Sequence, residues 1–160
     1  MRWLTEEEQA AWRGLLRTHA RLTNTLNRQL ATTGLSLQDY GVLVALDESQ
    51  GGRLRPYEIG DELGLEKTRL SHQLGRLEQR GLVGRERCPT DQRGSFVTLT
   101  AAGRKTLKAA APAHVAAVRA EFVDRLTPAQ LRAMADIAAA VVPEEEAAAY
   151  RGRPGAGRGG

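Results

Sequence analysis

Between Glu66 and Arg80 the sequence EKTRLSHQLGRLEQR spaces its polar side chains as a helix that reads nucleic acid would need them. At 100° per residue, Leu70, Leu74 and Leu77 share one apolar face. The opposite face carries Thr68, Arg69, His72, Gly75, Arg76 and Gln79, flanked by Ser71 and Gln73. Arginine can fork onto guanine and glutamine onto adenine, while Ser and Thr hydroxyls serve base edges or phosphates. No acid stands at the centre of this face. A solvated polar face is the ordinary alternative, and the face alone does not decide between the two.

A second set of candidates follows in CPTDQRGSFVTLT, residues 88–100, and just before it. Arg85 and Arg87 lie on a predicted strand, and Arg93 lies in the turn that follows, where a narrow loop tip can enter the minor groove and its negative potential. Asp91 cannot favour DNA by its charge. Its expected work is to stabilise the wing by accepting hydrogen bonds from the turn backbone or a neighbouring Arg, much as any turn Asp does. Cys88, the only cysteine of the chain, sits near Arg85 and Arg87, which would favour its thiolate. The preferred reading is still a small, half-buried strand residue without redox work.

These residues need elements to position them. Thr5-Glu6-Glu7-Glu8 has the form of a capping box, and Trp12, Leu15, Leu16, His19, Leu22, Thr23, Leu26 and Leu30 recur at helical steps as far as Gly34. Ser36 with Asp39 opens a second helix, and Pro56 to Gly64 defines a short third. Gly60 and Gly64, one turn apart, would let the helix from Glu66 to Arg80 cross the third closely, which is a helix-turn-helix arrangement. The period then changes: Val83 to Cys88 and Ser95 to Leu99 read as two strands around PTDQRG, a hairpin. Thr100 with Gly103 starts an Ala-rich helix through Phe122 that Pro112 bends, and Thr127-Pro128-Ala129-Gln130 starts a last one running to about Val142. The end, RGRPGAGRGG, is low-complexity and predicts a disordered tail.

Composition narrows the function. The chain has 160 residues and a formal charge of +4. Residues 53–108 hold 12 Lys and Arg against 7 Asp and Glu, and the rest of the chain holds 11 against 12. The excess cations therefore lie in one central segment, which suits a polyanion. No apolar run is long enough to span a bilayer and the N-terminus has no signal core, so the expectation is a cytoplasmic protein without a membrane partner. One cysteine gives no disulfide framework. An enzyme is not expected: the three histidines fall on separate predicted helices, and HExxH, paired-cysteine, phosphate-loop and Gly-x-Ser-x-Gly patterns are all missing. Neither a cofactor nor a metal site is predicted.

The order helix, helix, RPYEIGDELGLEKTRLSHQLGRLEQRGLV, then DQRGSFVTLTAAG resembles the MarR family of winged helix-turn-helix transcription regulators. The resemblance covers residues 5 to 142. Its most specific part is the wing pattern met by Asp91, Arg93, Val97, Leu99, Thr100 and Gly103. It implies a mainly α fold with a small β-hairpin wing, in which residues 1–34 and 101–142 form a helical dimerisation region, 35–100 a winged helix-turn-helix DNA-binding domain, and 143–160 the tail. It also implies a homodimeric repressor on a pseudo-palindromic operator in double-stranded DNA, released by a small aromatic or lipophilic effector. Trp12, His19 and Tyr40 are the side chains expected near the effector junction that can stack on or hydrogen-bond a ring. The alternatives are a redox-responsive regulator switching through Cys88, although redox-sensing members carry their cysteine in the first helix, and a general architectural DNA-binding protein.

Overall fold

Thr5 accepts from the Glu8 amide at 3.2 Å while its own amide donates to the Glu8 carboxylate at 2.7 Å, and helix α1 (Glu6–Ala31) starts there. The structure, a computed structural model, describes residues 1–87 and 95–142. Ser36 and Asp39 repeat the device at the start of α2 (Leu37–Glu48), with both reciprocal bonds near 3 Å. Pro56 occupies the first turn of α3 (Pro56–Leu63), where its missing amide costs nothing. α4 (Lys67–Gln79) follows, then β2 (Val83–Arg87), β3 (Ser95–Leu99), α5 (Ala101–Glu121) and α6 (Pro128–Val141), the last capped by Thr127 and Gln130.

The hairpin strands pair antiparallel with Arg85 opposite Val97, and a third strand, β1 (Arg53–Leu54), adds to the other edge of β3 to give the order β1-β3-β2. Sequence reading assigned no strand at β1, because two residues are too few to show an alternating pattern. The architecture is mainly helical with a small antiparallel wing sheet, as the sequence predicts.

The crossing of α3 and α4 depends on two glycines with different tasks. A Cβ on Gly60 would stand 3.1 Å from the Leu65 carbonyl oxygen, so this position keeps the crossing close. Gly64 instead ends α3 with φ of +60°, and Leu65 N–H returns to the Gly60 carbonyl at 2.9 Å, a left-handed cap that suits glycine.

Leu70, Leu74 and Leu77 of α4 are buried together with Leu43 and Leu46 of α2, Ile59 of α3 and Val97 of β3. Each such side chain contributes roughly 1.5–3 kcal/mol by leaving water. This core fixes the orientation of α4 against the wing. α1 adds only Leu30 to it, and α6 has no buried residue. Trp12, Leu15 and Leu16 of α1, Val115 of α5 and Ile137 and Val141 of α6 are exposed. No helix among the described residues is long and apolar enough to cross a membrane.

Candidate nucleic-acid interface

With its leucines buried, α4 turns Lys67, Thr68, Arg69, Ser71, His72 and Arg76 outward, all of them exposed. Gln79 is exposed as well. Glu78, the only acid within α4, stands at its C-terminal end, 3.6 Å from Arg85 of β2. The outward face is therefore cationic and rich in donors from its first turn to Arg76.

Gln73 departs from the sequence reading, which placed it among the DNA-facing residues. It is only 2% exposed, and its amide nitrogen donates to the carboxylate of Asp39 on α2. The reason is packing: position 73 flanks the apolar stripe, and a buried carboxylate across the helix interface supplies the acceptor that draws the amide inward. Its carbonyl oxygen accepts from Arg76.

Arg85 and Arg87 are exposed on β2, and Arg85 donates to Ser95 of β3 at 3.4 Å, so the base of the wing is cationic. Cys88, Asp91 and Arg93 lie outside the described residues. An open groove of about 840 Å³ runs between α3, α4 and the wing base, lined in part by Arg55, Tyr57, Lys67, Ser71, Arg85 and Ser95. Arg55, Tyr57, Lys67 and Ser95 were not singled out from sequence. Lys67, the cation at the start of α4, and Ser95, the start of a predicted strand, carried local signals; Arg55 and Tyr57 come beside the wing through tertiary folding.

The model of the MarR family matches residues 33–94, which include α2, α3, α4 and β2. The chain is similar to Sco3205, a MarR family transcriptional regulator from Streptomyces coelicolor solved in complex with DNA. Identity is 44%, with 88% of this chain and 89% of that one covered at a TM-score of 0.85. The chain belongs to the MarR family.

Two further relatives extend the likeness of this MarR-family regulator. AbsC of S. coelicolor is 42% identical over 96% of this chain and 100% of that chain, with a TM-score of 0.82. CouR from Rhodococcus jostii RHA1, solved bound to p-coumaroyl-CoA, is 27% identical over 81% of this chain and 90% of its own, with a TM-score of 0.70.

Of the residues expected at an effector junction, the MarR-family fold brings Tyr40 to the contact between α2 and α5, where its ring lies 4.2 Å from that of His114. Burial, and then the Glu48 carboxylate, push the Tyr40 phenol above its ordinary pKa. Burial holds the His114 imidazole below its own, and His114 Nδ1 has no hydrogen-bond partner among the described residues. Trp12 and His19 are exposed on α1. α2 starts beside Asn27, whose side chain accepts from the Leu37 amide at 2.8 Å. At about 1.5 Å per residue, Trp12 stands roughly 22 Å back along α1 from that junction. Within one chain it therefore does not join Tyr40. Sequence alone could not show the Tyr40–His114 pair, because the two residues meet only through folding.

Proposed function

We propose that this regulator is a repressor that binds a pseudo-palindromic operator as a homodimer and leaves it when a small aromatic effector binds. The observation that carries the DNA half of the reading is the exposed face of α4, with Thr68, Arg69, Ser71, His72 and Arg76 outward and no acid before Glu78, standing beside the cationic wing base. In this reading α4 lies in the major groove, where Arg69, His72 and Arg76 read base edges and Thr68 and Ser71 contact edges or phosphates. Arg85 and Arg87 contact phosphates, and Arg93, held in place by Asp91, enters the adjacent minor groove. Lys67 and the Arg55–Tyr57 rim of the groove add backbone contacts.

Support for the homodimer comes from the apolar residues that one subunit leaves exposed on α1, α5 and α6, and from α6, which buries nothing of its own. Residues 1–34 and 101–142 would cover one another across a two-fold axis, with 35–100 carrying the DNA contacts. Support for the effector comes from the half-buried Tyr40–His114 pair with its unpartnered Nδ1, and from the aromatic acyl group that CouR holds.

The test is selection of bound sequences from a random duplex pool at near-physiological salt, with wild type beside Arg69→Ala and Arg93→Ala. The expected result is an inverted repeat with half-sites about 10 base pairs apart. Arg69→Ala should change the preferred bases, and Arg93→Ala should weaken all sites together. Salt-sensitive binding without any motif would replace this reading with a general DNA contact.

A further inference from the structure

A chain of polar contacts runs from the start of α2 to the outer face of α4, and no contact with DNA accounts for its inner half. Asp39 is 7% exposed. Its Oδ2 accepts from the Ser36 amide at 2.9 Å and stands 3.6 Å from Nη1 of Arg80, while its Oδ1 accepts from Nε2 of Gln73. Arg80 in turn donates to the Gly34 carbonyl at 2.7 Å. Gln73 faces Asp39 with its donor and the surface with its acceptor, Oε1, which takes a hydrogen bond from Nη2 of the exposed Arg76.

The residue type at 73 matters to this order. An amide offers a donor at one atom and an acceptor at the other. A carboxylate there would repel Asp39, and an apolar chain would leave Oδ1 of Asp39 short of a partner in a buried place. The charge on Asp39 also polarises the amide, which makes Oε1 a stronger acceptor for the Arg76 guanidinium. An arginine held in this way keeps its other donors for a ligand and has already given up much of the rotamer freedom that docking would cost.

We infer that Gln73 is a positioning residue for base reading: anchored by Asp39, it presents Arg76 in one orientation, so that base choice at one step of each half-site depends on a buried side chain that touches no DNA. The inference rests on the proposed entry of α4 into the major groove.

Selection from a random duplex pool tests it with wild type, Gln73→Met, Arg76→Ala and the double variant. Methionine keeps the volume and removes both hydrogen bonds. Arg76→Ala should flatten preference at one base step per half-site by about tenfold, the order expected for losing one good base contact. Gln73→Met should flatten the same step several-fold, leave affinity for random duplex within about twofold, and add nothing in the Arg76→Ala background. Gln73→Asn, too short to span both partners, should behave the same and serves if methionine disturbs the core. A uniform loss on every sequence, a change at different steps, or full additivity with Arg76→Ala would show a mere structural brace and overturn the inference. If wild type selects no motif, the base-reading proposal falls and this inference with it. If wild type selects a motif that Arg76→Ala alters and both Gln73 variants leave intact, the positioning role alone falls.

Discussion

His114 carries a consequence that thermal melting can read. Burial holds its pKa below 6.5, and Nδ1 has no partner among the described residues to stabilise a proton on it. The folded chain therefore keeps the imidazole neutral at pH values where the unfolded chain already binds a proton. Stability rises with pH wherever the unfolded state holds more protons, so this contribution is complete above about pH 6.5 and is lost as the pH falls below it. The expected outcome is a melting temperature that drops between pH 6.5 and 5 in wild type and drops less in His114→Gln. The other histidines, His19 and His72, are exposed, and what they contribute is common to both proteins, so the difference between the two curves isolates His114. Equal slopes would mean that the half-buried ring takes up its proton in the fold as readily as in the unfolded chain.

At the scale of elements, the join between α4, the wing and α5 is held by one hydroxyl and one glycine. Thr100 Oγ1 lies 2.7 Å from the Gly81 carbonyl and 3.0 Å from that of Leu82, and it accepts from the Gly103 amide at 2.9 Å. A Cβ on Gly103 would land on the Leu82 carbonyl and stand 2.8 Å from Leu99 Cδ1. Gly103→Ala should thus cost roughly 1–3 kcal/mol, as forced overpacking does, and a denaturant melt would show it. An unchanged midpoint would mean that α5 shifts freely against the wing. The sequence showed the Thr100–Gly103 signal as a helix start, and equally the boxes at Thr5–Glu8, Ser36–Asp39 and Thr127–Gln130, because each acts within three residues. The outward face of α4 was legible too, since the period of its leucines dictates it. Gln73 was not, because its direction depends on Asp39, a residue 34 positions away. The Tyr40–His114 pair and the groove rim at Arg55 and Tyr57 were hidden for the same reason: their partners are set by tertiary packing. The short β1 escaped because its partner β3 defines it.

At the scale of the whole molecule, the single chain leaves apolar surface exposed. α6, 14 residues long, buries none of them, and an isolated helix of that length is marginal in water. Trp12, Leu15 and Leu16 on α1 leave a similar stripe uncovered. The two-fold axis of the proposed homodimer would solve both problems at once, because the same patch would then cover itself on the second copy. In the proposed dimer, α4 of each subunit contributes one half-site, and the pair gains over the single reader through the high effective concentration of the second half-site once the first is bound. Leu16→Asp combined with Ile137→Asp places charges in that patch far from α4, and sedimentation should then report a monomer. The variant should keep its affinity for an isolated half-site within a few-fold, since Arg69, His72 and Arg76 are untouched. Its preference for the inverted repeat over the half-site should collapse, from a factor on the order of 10² or more to about one. Half-site affinity lost in the same proportion would mean instead that α1 and α6 hold the reading head in shape, and the separation of a reading lobe from a pairing lobe would fail.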